Sequence, residues 1–115
     1  MAGRDVWNPS NRVAEIFINQ AHVVAYAYTM ESGIGDIIDD ECAIDHQLFL
    51  NFISTLADRH EESNNHSLRQ LLEGVITVGL VLLVRAGGSP DRMGIEERPY
   101  WQERCAWVAA SMPAG

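Results

Sequence analysis

The sequence contains no lysine, and all eight of its basic side chains are arginines. A phosphate-binding loop needs a lysine, so Gly87-Gly88-Ser89-Pro90 cannot form one. The Gly-x-Ser-x-Gly motif of serine hydrolases is missing, as are the Glu-x-x-His and His-x-x-x-His spacings of many metal sites. No motif requires catalysis, and we expect a protein without catalytic residues, bound metal or cofactor.

Cysteine is scarce, and long apolar runs are missing. Cys42 and Cys105 lie far apart and no signal peptide is recognisable, so we expect two free thiols in a reducing cytoplasm. The longest uncharged apolar run, from Gly74 to Val84, has 11 residues. A membrane-spanning helix needs about 20. We therefore expect a cytoplasmic protein with no membrane contact.

Acidic residues outnumber arginines, and the net charge of −8 comes from one segment. Residues 31–66 contain nine acidic residues against Arg59 alone, whereas the segments on either side are neutral. Such a segment repels phosphate backbones and attracts basic surfaces. We therefore expect a protein partner with a basic surface and no direct binding to nucleic acid.

The length and composition predict a single protein-interaction domain over residues 1–115. The 47% of hydrophobic and 21% of charged residues are ordinary for a globular domain. Apolar residues at helical spacing predict helices at about 10–31, 42–62 and 68–86, and Arg98-Pro99 begins a last one. A buried strand is the alternative for the β-branched segment 75–84. The predicted fold class is all-α, a compact bundle of four to five helices.

Two of these helices carry more apolar surface than one covered face requires. The first is apolar on more than one side, and the second half of the third is apolar all round. We therefore expect a homodimer, with Val24, Tyr28, Val78 and Leu82 on the self-association face. Gly74 and Gly79 inside the third helix predict the close approach of a neighbouring helix.

One acidic pattern resembles an enzyme site. The pairs Asp36-x-x-Asp39 and Asp58-x-x-Glu61 could hold Mg²⁺ if they lay on facing helices, and the layout resembles that of MazG-type nucleotide pyrophosphatases. That family favours glutamate in the first pair, which here falls in a predicted turn. No arginine cluster is available to hold phosphates, so solvated acidic residues are the preferred interpretation.

The histidines give a weaker signal for a metal. His46, His60 and His66 lie near acidic residues, but their spacing does not match a ligand pattern. We expect them to be surface histidines at polar helix ends.

The aromatic residues indicate binding. Trp, Tyr and Arg are the residue types that dominate binding hot spots, and Tyr100-Trp101 is flanked by glutamates and arginines. We predict partner contacts at Ile37, Ile38, Tyr100 and Trp101. Trp101 also belongs to an apolar stripe of the last helix, with Tyr100 and Trp107 beside it. The alternative is therefore that Trp101 and Trp107 seal the edge of the core.

Three segments carry a resemblance that spans the chain. They are the segment from Asn11 to Tyr28, the acidic stretch from Asp36 to Asp45, and Pro99-Tyr-Trp-Gln-Glu-Arg-Cys-Ala-Trp. Together they resemble the small quorum-sensing antiactivators of Pseudomonas typified by QslA. The resemblance implies a helical homodimer that binds the ligand-binding domain of a LuxR-type transcription regulator (LasR), blocks its dimerisation and keeps it off DNA. It assigns no role to an individual residue.

One further function remains open beside the pyrophosphatase. The acidic segment could imitate nucleic acid, as in a phage-type inhibitor of a nucleic-acid-binding effector. A pull-down would separate these inhibitors, because the two kinds of partner differ. Hydrolysis of a nucleotide with Mg²⁺ would indicate the enzyme.

Overall fold

A computed structural model describes residues 4–7, 12–35, 42–85 and 99–111. The described residues form two short strands and four helices. In chain order these are β1 (Arg4–Trp7), α1 (Arg12–Ala27), β2 (Cys42–Asp45), α2 (His46–Glu62), α3 (His66–Arg85) and α4 (Pro99–Ser111). They belong to two units, one up to Phe52 and one from Ile53 onward. The predicted helical character is confirmed, but the first unit also contains a sheet.

The two strands, which the sequence did not predict, pair antiparallel from Arg4 opposite Asp45 to Trp7 opposite Cys42. The predicted second helix began at Cys42, whereas the chain is extended there and α2 begins at His46. Asp45 sets this boundary, because its Oδ1 accepts the backbone N–H groups of Gln47 and Leu48, each at 3.1 Å. The predicted all-α character is therefore supported, with one short two-stranded sheet beside the four helices of the described residues.

The segment around Gly33 continues the hydrogen bonding on the other side of β2. The Asp45 N–H donates to the Gly33 carbonyl at 2.7 Å, and the Gly35 N–H donates to Ala43 at 2.8 Å. Gly33 has a φ of 81°, which favours glycine. A Cβ there would overlap the backbone nitrogen of Phe49 and lie 2.8 Å from the carbonyl oxygen of Asp45. Only glycine fits this position without a backbone shift.

Helix α1 buries one side, and its buried residues are Ala14, Phe17, Ile18, Ala21 and Ala25. Phe17 packs edge-on against Phe49, with ring centroids 6.1 Å apart. The helix ends at Ala27, earlier than the predicted residue 31. Thr29 adopts a φ of 54°, and the Met30 N–H reaches back to the Ala25 carbonyl at 2.9 Å, as in a left-handed helix cap.

Helix α3 is the most apolar element of the second unit. Asn65 caps it, because its Oδ1 accepts the Leu68 N–H at 3.0 Å. The strand alternative for residues 75–84 is wrong, since they lie inside one continuous helix. Gly74 also corrects a prediction. It is exposed, and no atom of the described residues lies within 4 Å of where its Cβ would be, so none of the described helices approaches there.

Among the described residues, one segment is long and apolar enough to cross a membrane by length and composition alone. It is His66–Val84 in α3, with a mean hydropathy of 1.7, and 44% of it is buried in the protein. The core helix of a protein that meets no membrane passes the same test. The length and composition of α3 therefore do not establish a membrane span.

Candidate functional site

Glu73 is the single acidic residue between His66 and Arg85, on the otherwise largely apolar α3. Its carboxylate accepts hydrogen bonds from two residues of α4. Arg104 donates Nε–H to Oε1, and the Tyr100 hydroxyl donates to Oε2 at 2.9 Å. His60 of α2 brings Nε2 within 3.4 Å of the same Oε2. Glu73 therefore links three helices through one side chain.

His60 is buried, with 1% of its surface exposed, although the sequence predicted a surface histidine. The centroid of its ring lies 4.9 Å from that of the Trp101 ring, edge-on, and 5.4 Å from that of the Tyr100 ring. Among the described residues, Nδ1 has no hydrogen-bond partner. Glu73 is thus the polar contact that compensates for the burial of this ring.

We call this arrangement the Glu73 cluster. It comprises His60, Glu73, Tyr100, Trp101 and Arg104. The pKa shifts within it show how the charges stabilise one another. Partial burial alone would raise the pKa of Glu73, but hydrogen bonds from Arg104, Tyr100 and His60 outweigh it and lower the pKa. Burial and the hydrogen bond to Glu73 raise the pKa of Tyr100. The hydrogen bond to Glu73 likewise raises the pKa of Arg104. The cluster holds a carboxylate, a neutral phenol and a guanidinium in place.

Tyr100 and Trp101, both predicted at a partner surface, lie in different environments. Trp101 is 1% exposed and belongs to the core, which agrees with the alternative that it seals the core edge. Trp101 therefore offers almost no surface to a partner. Tyr100 is 38% exposed, and the Arg104 guanidinium lies 3.6 Å from its ring centroid. This stack presents an aromatic ring and a positive charge to the solvent.

Trp107, which the sequence offered only as a possible core residue, is 79% exposed. It follows Tyr100 by seven positions and Arg104 by three, so the three residues share one side of α4. Glu103 is exposed on the same side. We call Tyr100, Glu103, Arg104 and Trp107 the α4 face. It contains the Trp, Tyr and Arg side chains that dominate binding hot spots.

The remaining predicted contact residues fall in separate parts of the chain. Ile37 and Ile38 lie outside the described residues. The predicted self-association residues are half-buried, and they are Val24, Tyr28, Val78 and Leu82. The first two belong to the first unit and the last two to the second.

The described residues do not assemble an evident metal site. Within residues 12–35, 42–85 and 99–111, no group of three or more His, Cys, Asp or Glu side chains could hold an ion. Asp58 and Glu61 of the acidic pattern are exposed on α2, whereas Asp36 and Asp39 lie outside the described residues. Only half of the predicted acidic site can therefore be located.

Comparison with known proteins places the whole chain in one family. Residues 1–114 match the model of a family described as a family of unknown function (DUF6086). No curated protein and no solved structure matches the chain. The match spans the described residues of both units, including the Glu73 cluster and the α4 face.

Proposed function

The chain belongs to the family of unknown function DUF6086, and we propose that it is a non-catalytic protein that binds another protein through its α4 face. The observation that carries the proposal is Trp107, a large apolar side chain that is 79% exposed. Tyr100 and Arg104 lie beside it on the same helix. An aromatic pair with an arginine is typical of the centre of a protein interface.

The Glu73 cluster supports the proposal by holding the α4 face in place. Both the Tyr100 hydroxyl and the Arg104 guanidinium are bonded to Glu73, and the guanidinium also stacks on the Tyr100 ring. Binding costs free energy when it immobilises long side chains, at about 0.5–1.5 kcal/mol for each. Two side chains of the face are already ordered before binding. Binding a partner therefore costs less conformational entropy.

We propose as partner the ligand-binding domain of a LuxR-type transcription regulator such as LasR. The resemblance to quorum-sensing antiactivators supports this choice. The sequence is also compatible with it, because no motif in it requires catalysis. Such an inhibitor acts by mass action, because it covers a surface that the regulator otherwise uses to dimerise. The regulator then remains a monomer and does not bind DNA.

The test measures binding of the purified chain to the regulator's ligand-binding domain by titration calorimetry. Replacing Trp107 by alanine should weaken binding by at least about 30-fold, the effect of losing a hot-spot residue worth about 2 kcal/mol. Leu71→Ala is the matched control, because Leu71 is a similarly exposed large apolar residue on α3. The control should bind like the unmodified chain.

Light scattering of the mixture tests the mechanism. The regulator dimer should give way to a mixed complex as the chain is added. A regulator that remains a dimer, or a Trp107→Ala variant that binds with full affinity, contradicts the proposal. If a pull-down with the chain recovers a nucleic-acid-binding effector instead, that result would support the phage-type inhibitor. Nucleotide hydrolysis with Mg²⁺ would support the pyrophosphatase.

A further inference from the structure

Helix α1 exposes a second apolar side in addition to the one it buries. Five residues on it are exposed, and they follow the alternating spacing of three and four that forms a seam between paired helices. They are Val13, Ile16, Gln20, Val23 and Ala27, which we call the α1 seam. Tyr26, 87% exposed, lies beside it. The three large aliphatic residues of the seam are between 40% and 68% exposed.

The charge of the chain indicates what can cover this seam. The whole chain carries a net charge of −8, so two copies repel each other over most of their surface. The α1 seam contains no charged residue, and Arg12 and Glu15 are the only acidic or arginine residues of the helix. A second copy can approach here without bringing acidic groups together.

The order of residues along α1 also suits a second copy. A two-fold dimer requires a surface that complements itself. The helix has an apolar pair near its start, Val13 and Ile16, another pair near its end, Val23 and Tyr26, and the polar Gln20 between them. From this we infer that two copies of the chain pair through their α1 seams, antiparallel, about a two-fold axis near Gln20.

Antiparallel pairing places the first apolar pair of each copy on the last apolar pair of the other. The two Gln20 amides then meet near the axis, where each can donate to and accept from the other. A polar residue at one seam position fixes the register of paired helices. Gln20 therefore selects one alignment of the two helices.

The charges at the start of α1 favour the antiparallel direction. Parallel helices would place Arg12 beside Arg12 and Glu15 beside Glu15, and would align the two helix dipoles. Antiparallel helices separate these like charges. They also bring Arg12 of one copy to the Tyr26 ring of the other, where a guanidinium can stack on the aromatic face.

The exposed area sets the strength of the dimer. The four large apolar residues of this side expose roughly 400–500 Å² per copy, taking about 150–250 Å² for a fully exposed large residue. A stable interface covers about 800 Å² on each partner. The α1 side supplies about half of that, so we expect a reversible dimer whose population rises with concentration.

Sedimentation equilibrium of the full chain across the micromolar range tests the inference. The unmodified chain should dimerise, and Val23→Glu should raise the dissociation constant at least about tenfold, because it buries a charge at the seam. Leu71→Glu is the matched control, since Leu71 is a similarly exposed apolar residue, on α3. A chain that is monomeric throughout overturns the inference, as does a dimer that Leu71→Glu disrupts and Val23→Glu does not.

Disulfide cross-linking tests the direction of pairing in a variant with Cys42 and Cys105 replaced by serine. Gln20→Cys should form a covalent dimer on mild oxidation, because the two copies of residue 20 meet near the axis. Val13→Cys should not, because antiparallel pairing separates the two copies of residue 13 by about 20 Å, at 1.5 Å per residue. Cross-linking through Val13→Cys alone would show parallel pairing and overturn the antiparallel model.

This dimer does not depend on the proposed partner. A Val23→Glu monomer that still binds the regulator would separate the α1 seam from the α4 face. A Trp107→Ala variant that still dimerises would separate them in the other direction. The two proposals therefore fail under different results.

Discussion

Replacing Glu73 by alanine removes the carboxylate that joins α3 to α2 and α4. The change leaves the Tyr100 hydroxyl and Arg104 without their carboxylate. It also leaves His60, which is buried, without a hydrogen-bond partner at either ring nitrogen among the described residues. Glu73→Gln is milder, because its amide oxygen can still accept one hydrogen bond.

The expected loss follows from the exposure of each contact. Arg104 and Glu73 are 38% and 21% exposed in their side chains, so solvent screens their ion pair and its contribution is about 1 kcal/mol. The Tyr100 hydrogen bond adds about 1 kcal/mol. The unpartnered His60 ring costs about 1–2 kcal/mol more, because the ring stays buried. We expect a loss of about 3–4 kcal/mol for Glu73→Ala and about 1–2 kcal/mol for Glu73→Gln.

Urea denaturation at neutral pH, followed by circular dichroism and tryptophan fluorescence, measures this loss. Glu103→Gln is the matched control, because Glu103 is an exposed glutamate on the α4 face, and its free energy of unfolding should change by less than about 0.5 kcal/mol. If Glu73→Ala unfolds at the same urea concentration as the unmodified chain, the Glu73 cluster does not stabilise the second unit.

The pH dependence provides an independent check. The pKa of Glu73 is lowered from its usual value of 4.5, so the folded state favours the ionised carboxylate. The stability that this gives is fully present above 4.5 and is lost as the pH falls through the folded-state pKa. The difference in unfolding free energy between the unmodified chain and Glu73→Gln should therefore shrink below pH 4.5. A difference that stays constant or grows in acid would refute the assigned ionisation.

Four further substitutions test the packing by thermal or urea unfolding. Gly74→Ala should stabilise the chain by about 0.5–1 kcal/mol, because the position is exposed and helical with open space for a Cβ; a loss of stability would mean that something does approach α3 there. Gly33→Ala should destabilise it by more than about 1 kcal/mol, because the new Cβ overlaps the Phe49 backbone at a positive φ; an unchanged midpoint would contradict the described turn. Trp101→Ala should cost about 3–5 kcal/mol, whereas Trp107→Ala should cost less than about 1 kcal/mol; equal losses would show that Trp107 is also buried.

The candidate site was partly predictable from local sequence. The apolar stripe of the last helix contains Trp101 and leaves Tyr100 and Trp107 beside it, and this pattern gives the burial of Trp101 that the structure shows. Because of that stripe, the sequence had offered burial in the core as the alternative to a partner contact at Trp101. Glu73 carried a signal that was missed, because a lone carboxylate on an apolar helix needs a polar partner.

The partners of Glu73 lie too far away in sequence for spacing to reveal them. His60 and Glu73 belong to different helices, and Tyr100 and Arg104 follow a long connection. From local sequence alone, a histidine near acidic residues is predicted to be exposed. It becomes buried only when another helix packs over it. The burial of His60 is therefore a property of the packed helices.

The sequence by itself determined which segments are helical, because the apolar repeat of a helix depends on neighbouring residues. The apolar spacing of α3 and the proline that begins α4 are local features, and both were predicted correctly. Only the tertiary structure decided the β1–β2 pairing, the burial of His60 and the exposure of Trp107. A four-residue strand has no stable hydrogen bonding until a distant strand supplies it, and the exposure of a side chain depends on which other helix covers it.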